Sequence, residues 1–245
     1  MSGARPLVMI AANSAWNIRN FRMGLVRALE DAGCDVVVAV PPDAGGSALA
    51  DAGLRLCPIA MESRGTSPIA DALLLLRYWL LLRRLRPAAV LPFTIKPNIY
   101  GGLAARALRI PVVNNVTGLG TGFLRGGWLT RLVRFLYGQA LDRASRVFFQ
   151  NADDLALFAD HGLVRPDQAE VLPGSGVDLE RFAPAGTRSG SDPFTFLLPA
   201  RLLWDKGIAE YVEAARIVRS RHPEVRFQLL GFVEPAGAGS VPRDR

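Results

Sequence analysis

The sequence predicts an open α/β fold built on a doubly wound parallel sheet. Short β-rich apolar runs alternate with segments of helical periodicity from Leu7 onward. The connections between them are short, as in βαβ units. Chain breakers stand where such a pattern needs them, at Gly33, Pro41-Pro42, Gly53 and Pro87. Crossovers in such sheets are right-handed, and their ligands bind at the carboxyl ends of the strands. The loops that follow strands are therefore where function is expected.

The elements read in order as follows. Leu7 to Ala12 is the first strand. Phe21, Leu25, Val26, Leu29 and Ala32 trace a helical face that Gly33 ends. Asp35 to Val40 is a second strand, Ser47 to Ala52 a short helix and Arg55 to Ala60 a third strand. Ile69 to Leu85 is a long helix stopped by Pro87. Ala88 to Pro92 is a fourth strand, and Pro97 opens the next helix from a favoured first-turn position. Pro111 to Val116 and Arg146 to Gln150 are strands on either side of a helix over Trp128 to Ala144. Asn151 caps a further helix, with Asp153 and Asp154 in its first turn, where the helix dipole favours acids. The Ala/Gly/Ser/Pro-rich stretch that follows reads as a linker. A second unit starts with a strand at Phe194 to Pro199, a helical face at Ile208, Tyr211, Val212, Ala215 and Val218, and a strand at Val225 to Leu230. Two parallel strands cannot cover their own faces and edges, so this second domain is expected to be cut short. The domain reading is 1–183, a linker at 184–193, and 194–245.

Half of the residues are hydrophobic and the formal net charge is +7, so the chain is globular and suited to anionic partners. Cys34 and Cys57 form no C-x-x-C pair, which fits a reduced, cytoplasmic compartment. The segment Ile69 to Leu85 holds Leu73 to Leu76 and Trp79 to Leu82, broken by Asp71 and Arg77 and closed by Arg83, Arg84 and Arg86. It is shorter than the roughly 20 apolar residues of a span. Two readings stay open: a helix packed on the sheet, or one resting on an anionic membrane.

The sharpest local signal is Ala200-Arg201-Leu202-Leu203-Trp204-Asp205-Lys206-Gly207-Ile208, between a strand and a helix. Such a loop offers free backbone N–H groups to an anion. Arg201 and Lys206 add two positive charges, and Gly207 permits close backbone approach, a combination suited to a diphosphate. A surface pairing of Lys206 with Asp205 is the competing reading. Thr117-Gly118-Leu119-Gly120-Thr121-Gly122 is not a dinucleotide fingerprint, because Phe123 stands where the third glycine belongs. No P-loop, zinc spacing or Ser/His/Asp set is present. His161 and His222 read as charge partners at helix ends.

The stretch from Phe194 through Ile208, with Phe227-Gln228-Leu229-Leu230-Gly231 after the helix, resembles the start of the donor domain of retaining GT-B glycosyltransferases of family 4. The blocks Asn13 to Arg22, Phe93 to Gly101 and Asn114 to Gly120 are similar to a bacterial branch that extends lipid-linked precursors of surface polysaccharides and glycoproteins. The resemblance implies a GT-B fold: one Rossmann-like acceptor-side domain and the start of a donor-side one. It implies a UDP-sugar donor, a polyprenyl-diphosphate-linked saccharide acceptor and retained anomeric configuration. No nucleic acid is expected as a partner, and no cofactor or metal, there being no Asp-x-Asp triplet.

By that resemblance Arg201 and Lys206 are the catalytic pair, gripping the donor diphosphate together with Gly207 and neutralising the leaving group. Acceptor-binding candidates are Asn13, Asn17, Arg19, Arg22, Thr94, Lys96, Thr117, Gly118 and Gly120, all on loops after strands. Asn20 reads as a helix N-cap, and Arg19 and Arg22 as either ligands or surface charges. Gly174 to Asp178 is expected to shape a hinge. Family members continue into a Glu-x7-Glu segment that holds the donor sugar, and nothing after Gly231 matches it. Two alternatives stay open: a truncated or split, non-catalytic subunit that binds acceptor or partner chain, and a sugar-nucleotide 2-epimerase of the same fold. The expected location is cytoplasmic, peripheral on the inner face of the plasma membrane.

Overall fold

The computed structural model describes residues 4–43, 45–62, 67–119, 127–184, 186, 193–231 and 241. Gly120, Thr121, Gly122, most of the 184–193 linker and the segment around Glu234 lie outside the described residues. The chain forms two compact units, Met1–Phe182 and Ala183–Arg245.

The first unit is organised by strands β1 (Leu7–Ala11), β2 (Asp35–Val40), β3 (Arg55–Pro58), β4 (Ala89–Pro92), β5 (Val113–Val116), β6 (Arg146–Phe149) and β7 (Ala169–Val171). Every strand pair is parallel. Bridges from Val90 to Val112 and from Phe93 to Asn115 join β4 to the β5 segment, so the order is β3-β2-β1-β4-β5-β6-β7. The helices are α1 (Ala15–Phe21), α2 (Met23–Asp31), α3 (Gly46–Asp51), α4 (Pro68–Leu85), α5 (Gly102–Ala107), α6 (Gly127–Leu141) and α7 (Ala152–Asp160).

Side chains alternate across each strand, and the two faces bury separate cores. Met9 and Ala11 of β1 with Val37 and Ala39 of β2 join Leu74, Tyr78 and Leu82 of α4, Ala104 and Ala105 of α5, and Tyr137 and Leu141 of α6. Ile10 and Ala12 with Val36, Val38 and Val40 join Ile18, Val26 and Leu49 of α1 to α3. Helices thus cover both faces. That is why β1 and β2 are almost continuously apolar.

Three details differ from the sequence reading. The first helix begins at Ala15, capped by Ser14, whose hydroxyl accepts from the Asn17 N–H. Asn20 is not the cap; it lies inside α1 and donates to the Trp16 carbonyl. Arg22 breaks the helix in two, ending α1 and opening α2. Helical backbone also starts at Ile95, ahead of Pro97, and runs through a π-helical turn, Pro97–Gly101, into α5. Finally, β7 is a seventh strand that the pattern did not reveal; three residues are too few for a periodicity.

The π turn places Asn98 beneath the junction of β4 and β5. Its amide N–H group donates to the Thr94 and Asn115 carbonyls, each at 2.8 Å, and its oxygen accepts from Asn114 at 2.9 Å. Asn98 and Asn114 are fully buried.

The second unit has β8 (Thr195–Pro199) and β9 (Arg226–Leu230), parallel, with α8 (Ile208–Arg221) between them. The Tyr211 hydroxyl ties α8 to both strands, donating toward the Phe196 and Gln228 carbonyls and accepting from the Gln228 N–H. A Cβ on Gly231 would lie 1.8 Å from the Ala200 carbonyl oxygen, so only glycine fits where β9 ends against the loop after β8.

Asn98→Ala removes side-chain hydrogen bonds from the Thr94 and Asn115 carbonyls and from the buried Asn114 amide. It is expected to cost about 2–4 kcal/mol, read as a lower urea midpoint with an unchanged slope.

Candidate functional site

Loops at the carboxyl edge of the first unit carry its candidate residues. After β1 the chain turns sharply into α1. Asp43, after β2, fixes that turn by accepting from the Ala15 N–H at 2.9 Å and the Gly45 N–H at 3.0 Å. Asn13 and Asn17 are half-buried and Arg19 is exposed. The Asn17 side-chain oxygen is buried without a hydrogen-bond partner.

Arg22 is buried. Its guanidinium lies 4.0 Å over the Phe93 ring at the end of β4. Burial lowers its pKa to about 10, so it remains charged at neutral pH.

Thr94 follows Phe93 with φ of 68°, a left-handed conformation that a β-branched residue rarely adopts. Its hydroxyl donates to the Phe93 carbonyl and its own carbonyl is held by Asn98. Such strain persists where the surroundings over-determine it and clusters at functional sites. The network therefore joins the β1 loop, the β4 turn and the end of β5. Thr117 and Gly118 continue from that end, half-buried, with Gly118 at φ of 140°.

Lys96 is not a free charge. Its ammonium donates to Asp71 of α4 at 2.7 Å, and the two side chains are only 12% and 18% exposed. The Tyr100 hydroxyl is raised above the usual tyrosine range, first by burial and then by its hydrogen bond to Asp71 and that carboxylate's charge. The pair forms part of the lining of a cavity of about 420 Å³, with Pro41, Pro42, Met61, Leu74 and Arg77 around it. Arg77 is committed to the Ala60 carbonyl. The volume falls in the range of small-molecule sites, about 300–1,000 Å³. Mixed apolar walls and a paired donor and acceptor suit a neutral, hydroxylated ligand.

In the second unit, a 3-10 turn at Trp204–Lys206 leads into α8 through Gly207, which adopts a left-handed φ of 76°. Arg201 and Lys206 are both exposed. Lys206 lies 3.9 Å from Asp205, both side chains open to solvent, a contact worth little. The backbone therefore has the expected strand–turn–helix form with two available cations.

Three contributors escaped the sequence reading. Asp71 and Tyr100 are separated from their partner by a strand or by a helical turn. Asn114 is a polar residue in a buried strand, the one signal that could have exposed it. Asp178, expected to shape a hinge, accepts from the Glu180 and Arg181 N–H groups in a tight turn. Gln150, after β6, donates to Ser175 in the same segment. His161 and His222 both cap helix ends, and His222 lies 3.5 Å from Glu224.

A parallel sheet covered on both faces, with loops of this kind at its carboxyl edge, followed by a second α/β unit that opens on a cationic strand–turn–helix, defines the chain as an α/β protein of the GT-B class. The chain belongs to the family described as glycosyl transferase 4-like domain, which matches residues 18–175. It is 27% identical over 231 residues to an N,N'-diacetylbacillosaminyl-diphospho-undecaprenol alpha-1,3-N-acetylgalactosaminyltransferase from Campylobacter jejuni, covering 88% of this chain. It spans 60% of that relative's length. The structure is similar to a glycosyltransferase from Rickettsia africae (TM-score 0.64, 13% identity, 93% of this chain and 69% of that one). It is equally similar to a UDP-GlcNAc 2-epimerase from Neisseria meningitidis bound to UDP-GlcNAc (TM-score 0.64, 14% identity, 94% and 66%). At these identities the likeness shows the fold alone.

Lys96→Met leaves the Asp71 carboxylate enclosed without its counter-charge. A loss of about 3 kcal/mol is expected, with most of it recovered in the Asp71→Asn/Lys96→Met double variant. Urea unfolding of the three variants as a double-mutant cycle checks this.

Proposed function

We propose that this chain serves a glycosyltransferase that moves a sugar from a UDP-sugar to a polyprenyl-diphosphate-linked saccharide, with retention, in the assembly of surface polysaccharide or another lipid-linked glycan. The observation that carries the reading is the similarity, along 88% of the chain, to an enzyme whose name gives a diphospho-undecaprenol saccharide as its acceptor. On this reading residues 1–183 form the acceptor side, 184–193 the linker and 194–245 the donor side.

Arg201 and Lys206 grip the donor diphosphate, with Gly207 letting the backbone come close. As the bond between the anomeric carbon and the diphosphate breaks, negative charge gathers on the leaving group, and two fixed cations stabilise it there more than in the ground state. Asn13, Asn17, Arg19, Arg22, Thr94, Lys96, Thr117, Gly118 and Gly120 form the acceptor side. Lys96 acts there through its pair with Asp71, donor and acceptor side by side for sugar hydroxyls.

The acceptor's lipid implies work at a membrane surface, on this reading the inner face of the plasma membrane. Among the described residues, no helix is long and apolar enough to cross a membrane. Instead α4 exposes Ile69, Leu73, Leu76 and Leu80, at helical spacing, while Leu75 and Trp79 pack against the core. Arg83, Arg84 and Arg86 follow at its end. α6, on the same face of the sheet, exposes Trp128, Leu132 and Phe135. Apolar stripes beside arginines suit an anionic lipid surface.

Arg201→Ala or Lys206→Ala in the full-length protein is expected to lower kcat by about 10²–10³. Near-normal turnover on a lipid-linked acceptor would remove the assigned role. Leu76→Glu/Leu80→Glu is expected to abolish flotation with phosphatidylglycerol vesicles while leaving the far-ultraviolet spectrum unchanged. Flotation at the wild-type level would refute membrane contact through α4.

A further inference from the structure

Arg22 is a cation without a counter-charge among the described residues. It is 5% exposed. Among the described residues its guanidinium makes no ion pair and no hydrogen bond, and its Nε is buried without a partner. Among the described residues the one group that compensates the charge is the Phe93 ring 4.0 Å away. A ring face attracts a cation, but more weakly than the water that burial removes. Apolar packing alone does not call for an arginine here, because an unbranched apolar side chain would fill the space without that penalty.

The position gives the charge a use. Arg22 stands at the break between α1 and α2, in the segment that follows β1, and its head reaches the end of β4, next to the strained Thr94. This is the carboxyl edge, where parallel sheets bind ligands. Asn17, on the same short helix, has a second buried and unpartnered polar atom, and an amide can offer a ligand either a donor or an acceptor. Lys96, by contrast, already has Asp71 as a partner. The edge thus carries one balanced pair and one unbalanced cation.

We propose that Arg22 is a phosphate-binding residue, its planar fork held against Phe93 so that a phosphate or diphosphate group supplies the missing negative charge. This deepens the glycosyltransferase reading above and rests on it for the identity of the ligand. The diphosphate can belong to the lipid-linked acceptor or to the nucleotide donor, and the chemistry at Arg22 is the same.

The consequence is a trade between stability and binding. The charge burdens the free protein and is relieved in the complex. The test is thermal unfolding of the full chain in an Arg201→Ala/Lys206→Ala background, which removes the other diphosphate grip. Inorganic pyrophosphate is the first probe. It is expected to raise Tm with Arg22 present and to leave Arg22→Met unshifted. Without ligand, Arg22→Met is expected to melt at or above the temperature of its parent. Arg22→Lys, which keeps the charge and loses the fork, is expected to bind pyrophosphate at least tenfold more weakly. It also serves as the readout if the methionine variant does not fold.

A pyrophosphate shift that is absent in the parent, or that persists undiminished in Arg22→Met or Arg22→Lys, overturns the proposal. Farnesyl diphosphate and UDP then separate the two sources: the probe whose shift depends on Arg22 identifies the ligand. Since no sugar transfer is measured, the phosphate site can stand if the glycosyltransferase reading fails, and can fall while that reading stands.

Discussion

Burial of one parallel sheet on both faces is the constraint from which the rest of the first unit follows. Hydrogen bonds along β1 and β2 leave side chains pointing alternately to two layers, so neighbouring residues enter different cores. Met9 and Ala11 meet α4 to α6, while Ile10 and Ala12 meet α1 to α3. With both faces filled by apolar packing, polar chemistry is displaced to the strand ends. The carboxyl edge is where loops after β1, β2, β4 and β5 converge, and it holds most of the buried polar groups that packing does not explain.

Those groups divide by how their charge or polarity is met. Asn98 and Asn114 bond mainly to one another and to backbone, and they stitch β4 to β5. Lys96 and Asp71 satisfy each other across the start of α4. Arg22 has an aromatic face and nothing else among the described residues. The first set is architecture and the second a preorganised polar floor for the cavity beside it. Arg201 and Lys206 in the second unit differ again, being exposed and paid for by solvent. Their availability comes from the short 3-10 turn and the left-handed Gly207, not from burial.

Much of this architecture was legible beforehand. Helix α4, strand β2 and the Asn151-capped helix stand within about a residue of their expected bounds, because long periodic runs and cap chemistry are local signals. The start of α1 was misplaced because Trp16 and Asn17 carry no apolar periodicity, and the cap at Ser14 was hidden beside two asparagines. Strand β7 was missed because Ala169–Val171 is too short to show a pattern and owes its conformation to pairing with β6. For the candidate site, the residue types and loops were legible. Their partners were not.

By itself the sequence determined the α/β class, the order of strands and helices along the chain apart from β7, and the cationic turn at Arg201 to Gly207. These depend on periodicity, caps and turn residues within a few positions. Only the tertiary structure decided that Lys96 is neutralised by Asp71, that Asn98 bridges β4 and β5, and that Arg22 lies on Phe93 with no charged partner among the described residues. Each of these joins residues 17 to 71 positions apart in the chain. Such charges and amides look alike in a sequence, and what separates them is the dielectric and the partners that packing brings to them.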